Sequence, residues 1–202
     1  LGGKLNPKEC IVGSDGNVTC DGTLLEIEVN GEKPTSGKIR FDEGEIVWMT
    51  LELSDKEIML NPNTGKLEYK LAPGMYDKNN NLLASWDELI SDYGLAIELI
   101  SSTGVAGACA GLQSIENAYK LVIDDSITNI ANGAFEACGL FKSVVIPGSV
   151  KILESMSFGY SNLDEVIISD GVTSIGSRAF EENNLTNVVI PKSVTSIGSH
   201  AF

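Results

Sequence analysis

Residues 146–158 read IPGSVKILESMSF, residues 168–180 read ISDGVTSIGSRAF, and residues 190–202 read IPKSVTSIGSHAF. The same frame starts earlier, at Ile123. Ile123, Ile146, Ile168 and Ile190 recur at spacings of 23, 22 and 22 residues. Those spacings also relate Ile127, Val150, Val172 and Val194, then Ile130, Leu153, Ile175 and Ile197, then Phe135, Phe158, Phe180 and Phe202. Four columns that share one period define a unit repeated along the chain. The one extra residue falls between Phe135 and Phe141, because Phe158–Leu163 and Phe180–Leu185 are each one residue shorter. That places it in a turn, where added length costs little.

Each period supplies a short strand such as Val144-Val145-Ile146, a turn, a second short extended piece and an inward Phe. One unit cannot bury its own apolar side, so the units stack and each column becomes an internal ladder. The apolar columns are therefore structural and carry no chemistry.

Upstream of the repeats the patterning changes twice. Up to about Lys70 short strands alternate with turn signals, and the strands expected are Thr23–Val29, Lys38–Phe41, Ile46–Leu53 and Glu57–Leu60. Alternation is clearest in Leu25-Glu26-Ile27-Glu28-Val29, which predicts a sheet with one wet face. Cys10 and Cys20 bracket an Asp15-Gly16 turn signal, and two arms folding back on that turn predict a Cys10–Cys20 disulfide, the alternative being two unpaired buried thiols. A bridge so local favours an oxidising compartment. From Pro73 onward, Met75-Tyr76-Asp77, a polar tip and Leu82-Leu83-Ala84 predict a hairpin. Ser85 with Glu88 three residues on is a capping box, opening a short helix through about Ser91 that sets Trp86 and Leu89 on one face. Residues 101–114, rich in Gly, Ala and Ser, read as a loosely specified connector. Cys109 and Cys138 lie 29 residues apart: either they join the connector to the first full repeat, or Cys138 is a small buried residue and Cys109 a separate thiol.

The 28 Asp and Glu outnumber 14 Lys and Arg, for a net charge of −14 spread along the chain. Nucleic acid and anionic membrane surfaces both demand a basic patch, so neither is expected as a partner. No apolar stretch is long enough to span a bilayer. Leu1 to Pro7 lacks the apolar centre of a signal peptide, which leaves a cytosolic protein or a secreted one whose leader or anchor was removed.

Catalysis needs convergent polar groups. The one histidine, His200, sits in a variable turn position of the last repeat, which argues against histidine acid–base work and against a Ser-His-Asp arrangement. No CxxC or HExxH spacing offers zinc ligands, and Asp124-Asp125, Asp164-Glu165 and Glu181-Glu182 are adjacent pairs without the spacing of a calcium loop. Gly104-Val105-Ala106-Gly107 lacks the strand and helix that flank a phosphate loop. No catalytic residue, metal site or cofactor is expected. One feature goes beyond structure. If Val144 and Ile146 point inward, Val145 points out, and its equivalents Val122, Ile167 and Val189 complete an exposed β-branched stripe. Lys120, Ser143, Glu165 and Asn187 form a polar column beside it. These eight are the expected binding residues; the alternative is that β-branched residues simply suit strands.

The three phrases quoted first, each preceded by a Leu- or Val-rich strand, resemble the BspA-like leucine-rich repeats of bacterial surface proteins over residues 115–202. Cys138 stands where that family often places a Cys before the strand, with Ser161 and Asn183 in the corresponding later places. The stretch PGMYDKNNNLLASWDELISDYG resembles a module that introduces such repeats in Gram-positive gut bacteria. More weakly, the cysteine hairpin and LLEIEVNGEKPTSGKIRF resemble the C-terminal part of type IV pilin-like proteins, without their hydrophobic N-terminal helix. The fold implied is mainly β with a short helix: a small antiparallel β-domain at 1–72, a hairpin-helix connector or N-terminal cap at 73–114, and a right-handed leucine-rich-repeat solenoid at 115–202. The resemblance implies a non-enzymatic, extracellular, surface-displayed protein that adheres to or binds a host matrix or bacterial surface protein. A pilus or cell-wall subunit with the repeats as spacer is the alternative. Because Ile197 and Phe202 are inward types with no polar cap after them, the natural protein is expected to continue past residue 202, and the uncovered end to self-associate through Val194, Ile197 and Phe202.

Overall fold

A computed structural model describes residues 8–12, 18–20, 23–25, 36–42, 45–52, 58–60, 63, 67–95 and 108–202. The chain divides into two compact units, Leu1–Leu71 and Ala72–Phe202.

In the first unit, β1 (Lys8–Val12), β2 (Val18–Cys20), β3 (Thr23–Leu25), β4 (Ser36–Asp42) and β5 (Glu45–Glu52) form an antiparallel sheet in the order β3-β2-β1-β4-β5. β6 (Ile58–Leu60) and β7 (Leu67–Tyr69) make a separate antiparallel pair. The expected strand Thr23–Val29 is seen as β3 to Leu25, and residues 26–29 lie outside the described residues. β1 and β2 pair with Ile11 opposite Thr19 and Val12 opposite Val18. That register, carried one residue further, sets positions 10 and 20 opposite each other. The Cys10–Cys20 bridge itself concerns side chains outside the described residues.

The second unit opens with the hairpin of β8 (Gly74–Tyr76) and β9 (Leu82–Ser85). At its tip the Asp77 carboxylate accepts from the backbone N–H groups of Asn79 at 2.8 Å and Asn81 at 2.9 Å, and from the Asn81 amide at 2.9 Å. These bonds, the Asn81 amide foremost, hold the Asp77 acid below its ordinary range. α1 (Trp86–Ser91) then starts in the capping box that the Ser85–Glu88 spacing predicts. The Glu88 backbone N–H donates to Ser85 Oγ at 3.4 Å, and the Ser85 backbone N–H donates to Glu88 Oε2 at 2.8 Å. Trp86 and Leu89 are both buried.

The repeats supply two parallel ladders. β10 (Lys120–Val122), β12 (Ser143–Ile146) and β14 (Glu165–Ile168) continue the hairpin into one sheet, ordered β14-β12-β10-β8-β9, in which β8 pairs antiparallel with β10. The hairpin therefore occupies a sheet edge that would otherwise present unpaired backbone groups. β11 (Asn129–Ile130), β13 (Ile152–Leu153), β15 (Ser174–Ile175) and β16 (Ser196–Ile197) form the second ladder. Between the sheets lies the core. Phe135 and Phe158 stack with centroids 5.0 Å apart, Phe158 and Phe180 at 5.5 Å, and Phe180 and Phe202 at 5.4 Å, with interplanar angles of 7°, 4° and 9°. Layer spacing of about 4.8 Å sets that distance and keeps the rings parallel. Phe141, off the ladder, meets Phe135 edge-on at 6.1 Å and 74°. Each ladder Phe also ties its layer to the next: Phe135 N–H donates to Ser157 O at 2.8 Å, Phe158 to Ala179 O at 2.8 Å, and Phe180 to Ala201 O at 2.7 Å.

Two features of this stack depart from the sequence reading or settle it. Of the connector expected at 101–114, the described part is 108–114, where a turn leads into a 3-10 helix at Gly111–Ser114; Ala108, Cys109, Leu112 and the following Ile115 are buried. Apolar side chains spaced three apart suffice for one such turn. Cys109 and Cys138 form a disulfide with Cα atoms 5.7 Å apart, resolving the alternative that spacing left open.

Candidate functional site

The strand face begins with alternation. Leu121, Ile123, Val144, Ile146, Val166 and Ile168 all belong to the core cluster, whereas the residues between them do not. Lys120, Ser143 and Glu165 are in register on adjacent strands, as are Val122, Val145 and Ile167. Asn187 and Val189, the fourth members of the two columns, lie beyond β14 where no strand is assigned. Ser143 Oγ donates to Glu165 Oε2 at 2.7 Å, linking two strands through the polar column. On the hairpin side, Tyr76 stands opposite Lys120; its hydroxyl donates to Ala72 O at 2.7 Å, and burial pushes its pKa above the ordinary phenol value.

The exposure expected of the apolar column is corrected by the structure. Val122 is 6% exposed and Ile167 only 2%, Val145 is half-buried, and Val189 alone is exposed at 36%. In the polar column Lys120 and Ser143 are buried, Glu165 is half-buried and Asn187 exposed. Alternation tells which way a side chain points, not what stands beside it. In-register β-branched neighbours at strand spacing shield one another along the ladder, so pointing away from the core is not the same as meeting water.

Large apolar side chains are exposed elsewhere. Ile152 stands in the column Asn129, Ile152, Ser174 and Ser196, the one apolar member in a polar row, and that break in pattern was readable from the sequence. Tyr160 is exposed in a turn, with φ of 56°. It shares this left-handed conformation with Ala137 at 53° and Glu182 at 54°, one per layer. A second such column runs Gly133, Met156, Arg178 and His200, at 66°, 55°, 58° and 56°. His200 thus stands beside Arg178 in a structural turn. Among the described residues no group of three or more His, Cys, Asp or Glu is placed to hold a metal ion, and no helix is long and apolar enough to cross a membrane. Asp124 serves its own turn, its Oδ1 accepting from Ser126 N–H at 2.8 Å.

The family described as "BspA type Leucine rich repeat region" matches residues 109–202 in six copies. The match begins at residue 109, so it does not bear on the pilin-like resemblance of the N-terminal unit. Among curated proteins none matches. A solved leucine-rich repeat protein from Bacteroides ovatus ATCC 8483 is similar at 21% identity and a TM-score of 0.42, over 75% of this chain and 38% of its own. This chain thus spans well under half the length of that protein.

Proposed function

Since residues 109–202 belong to the BspA-type leucine-rich repeat family, we propose that the chain is a non-enzymatic protein of the bacterial cell surface that binds a protein partner through its repeat stack. The observation that carries this reading is the pair of in-register columns on the strand sheet that the core does not use. The accessible part of those columns is Val145, Glu165, Asn187 and Val189. A net charge of −14 favours a protein partner over nucleic acid or an anionic membrane. The Cys109–Cys138 disulfide favours an oxidising, extracellular setting. A host matrix protein or a bacterial surface protein is the partner class proposed.

Binding of the intact chain to immobilised host matrix proteins and to bacterial surface fractions tests the reading. Val189→Glu is expected to weaken that binding without changing the melting temperature. Binding untouched by this variant moves the contact surface off the strand columns. Burial of Val122 and Ile167 favours a second reading, in which the repeats space a pilus or cell-wall subunit. No capture by any of these targets supports the spacer. The oxidising setting is tested separately by non-reducing peptide mapping of freshly secreted protein. Recovery of Cys10 and Cys20 in one linked peptide is expected, and both thiols alkylated sinks that bridge.

A further inference from the structure

The residues equivalent to Cys138 in the next two layers, Ser161 and Asn183, hold neighbouring layers together without a covalent bond. Ser161 Oγ donates to Phe135 O of the preceding layer. The Asn183 amide donates to Phe158 O of its preceding layer at 2.8 Å and to Phe180 O at 2.8 Å, while its Oδ1 accepts from Leu163 N–H at 2.8 Å. Cys138 stands in the first layer of this column, and what precedes it is the turn and 3-10 helix of residues 108–114. There the column's inter-layer hydrogen bond is replaced by the disulfide to Cys109.

We propose that the Cys109–Cys138 disulfide is a redox-controlled latch that fastens the segment 108–115 over the first repeat layer. The layers beyond it are joined by backbone ladders, ring stacking and the Ser161 and Asn183 bonds, none of which involves either sulfur. Among the described residues the segment has fewer ties. Ala108 N–H donates to Ala134 O at 3.2 Å, and Leu112 and Ile115 are buried. Opening the bond therefore loosens the end of the stack and leaves the stack itself folded. The chemistry is thiol–disulfide exchange. A thiolate of a small-molecule thiol attacks one sulfur, breaking the S–S bond and releasing the other cysteine as a thiolate, which takes a proton from water. A second thiol then resolves the mixed disulfide, leaving two protein thiols and the reductant oxidised to its own disulfide. Both cysteines are 7% exposed, so attack requires a local opening of the segment.

Hydrogen exchange on the full chain, with and without dithiothreitol, tests the latch, in a Cys10→Ser/Cys20→Ser background so that only this bond responds. Reduction is expected to speed exchange across 108–118 by about tenfold or more while peptides spanning 143–175 stay protected. Cys138→Asn, which installs the residue used at Asn183, is expected to show the loosened segment without any reductant. Unchanged exchange at 108–118 in both experiments shows that the segment needs no latch. Loss of protection across 143–175 shows instead that the bond staples the whole unit. Either result overturns the proposal.

Discussion

Phe158 and Phe202 hold the same place in two different repeats, yet Phe158 is fully buried and Phe202 is 48% exposed. Leu153 and Ile197 repeat the contrast, the first fully buried and the second 50% exposed. Ring orientation is alike in the two layers; within the 202-residue chain Phe158 has a layer on both sides and Phe202 on one. Burial in this fold is thus a property of the neighbour and not of the residue, as expected where each unit is stabilised by the interfaces it shares. The hairpin and helix at 74–91 provide such a neighbour on the other side of the sheet, with Met75 and Leu89 fully buried.

The largest test of that contrast is truncation of the ladder. Phe158→Ala is expected to destabilise the repeats by about 3–5 kcal/mol, because the cavity is closed in by rings above and below. In the 202-residue chain Phe202→Ala should cost roughly 1–2 kcal/mol, since half of the residue is exposed there. Denaturant unfolding of the two variants checks the ranking. Equal costs would mean that layers are not stabilised by their neighbours.

The outer column offers the same comparison on the opposite side of the strand. Ile167→Glu places a carboxylate where 2% of the residue is exposed, and about 3 kcal/mol of destabilisation is expected. Val189→Glu, at a position 36% exposed, should stay within about 0.5 kcal/mol. Circular dichroism melts compare the pair directly. If Ile167→Glu melts like the unaltered chain, the outer face is open after all and the burial of this column is incidental.

A smaller effect separates the turns. Gly133 starts a left-handed column that Met156, Arg178 and His200 continue without glycine. An L side chain there costs roughly 1–2 kcal/mol, partly offset by glycine's greater freedom in the unfolded chain. Arg178→Gly is therefore expected to stabilise the repeats by roughly 0.5–1 kcal/mol. The ion pair it removes, Arg178 Nε to Glu181 Oε1, is long at 3.8 Å and half-exposed on the arginine side, with Glu181 half-buried, and contributes little. A lower melting temperature would show that Arg178 makes contacts worth more than its backbone strain.

These comparisons also mark what the sequence made legible. The period, the four inward columns and the Ser85–Glu88 cap were readable because each rests on local chemistry or on exact recurrence. The left-handed turns were not, since Met156, Tyr160 and Arg178 carry none of the Gly or Asn signal that normally announces positive φ. The burial of Val122 and Ile167 was illegible for another reason: alternation is a property of one strand, and shielding is a property of several. The partner of Cys109 depended on how the segment 108–115 sits against the first layer, which spacing alone does not specify.

The smallest expected effect sets the hairpin–helix against the repeats through pH. The Ser85 backbone N–H, then the Ser85 hydroxyl, donate to the Glu88 carboxylate and hold its acid below the ordinary value. A carboxyl whose folded value is lowered contributes stability that is fully present above its unfolded value, about 4.3 for Glu, and lost as the pH falls through the folded one. The Ser85 amide proton should therefore titrate with a midpoint below about 4.3, and fraying of α1 should follow it. Glu88→Gln keeps an acceptor in the capping box but removes the titrating group, so the amide shift should become flat across the acidic range. An unaltered titration at Ser85 in that variant would assign the effect to another carboxyl, such as Asp77 at the hairpin tip, whose value is also lowered. In that case the cap would act through geometry alone, as the neutral contacts between repeat layers do.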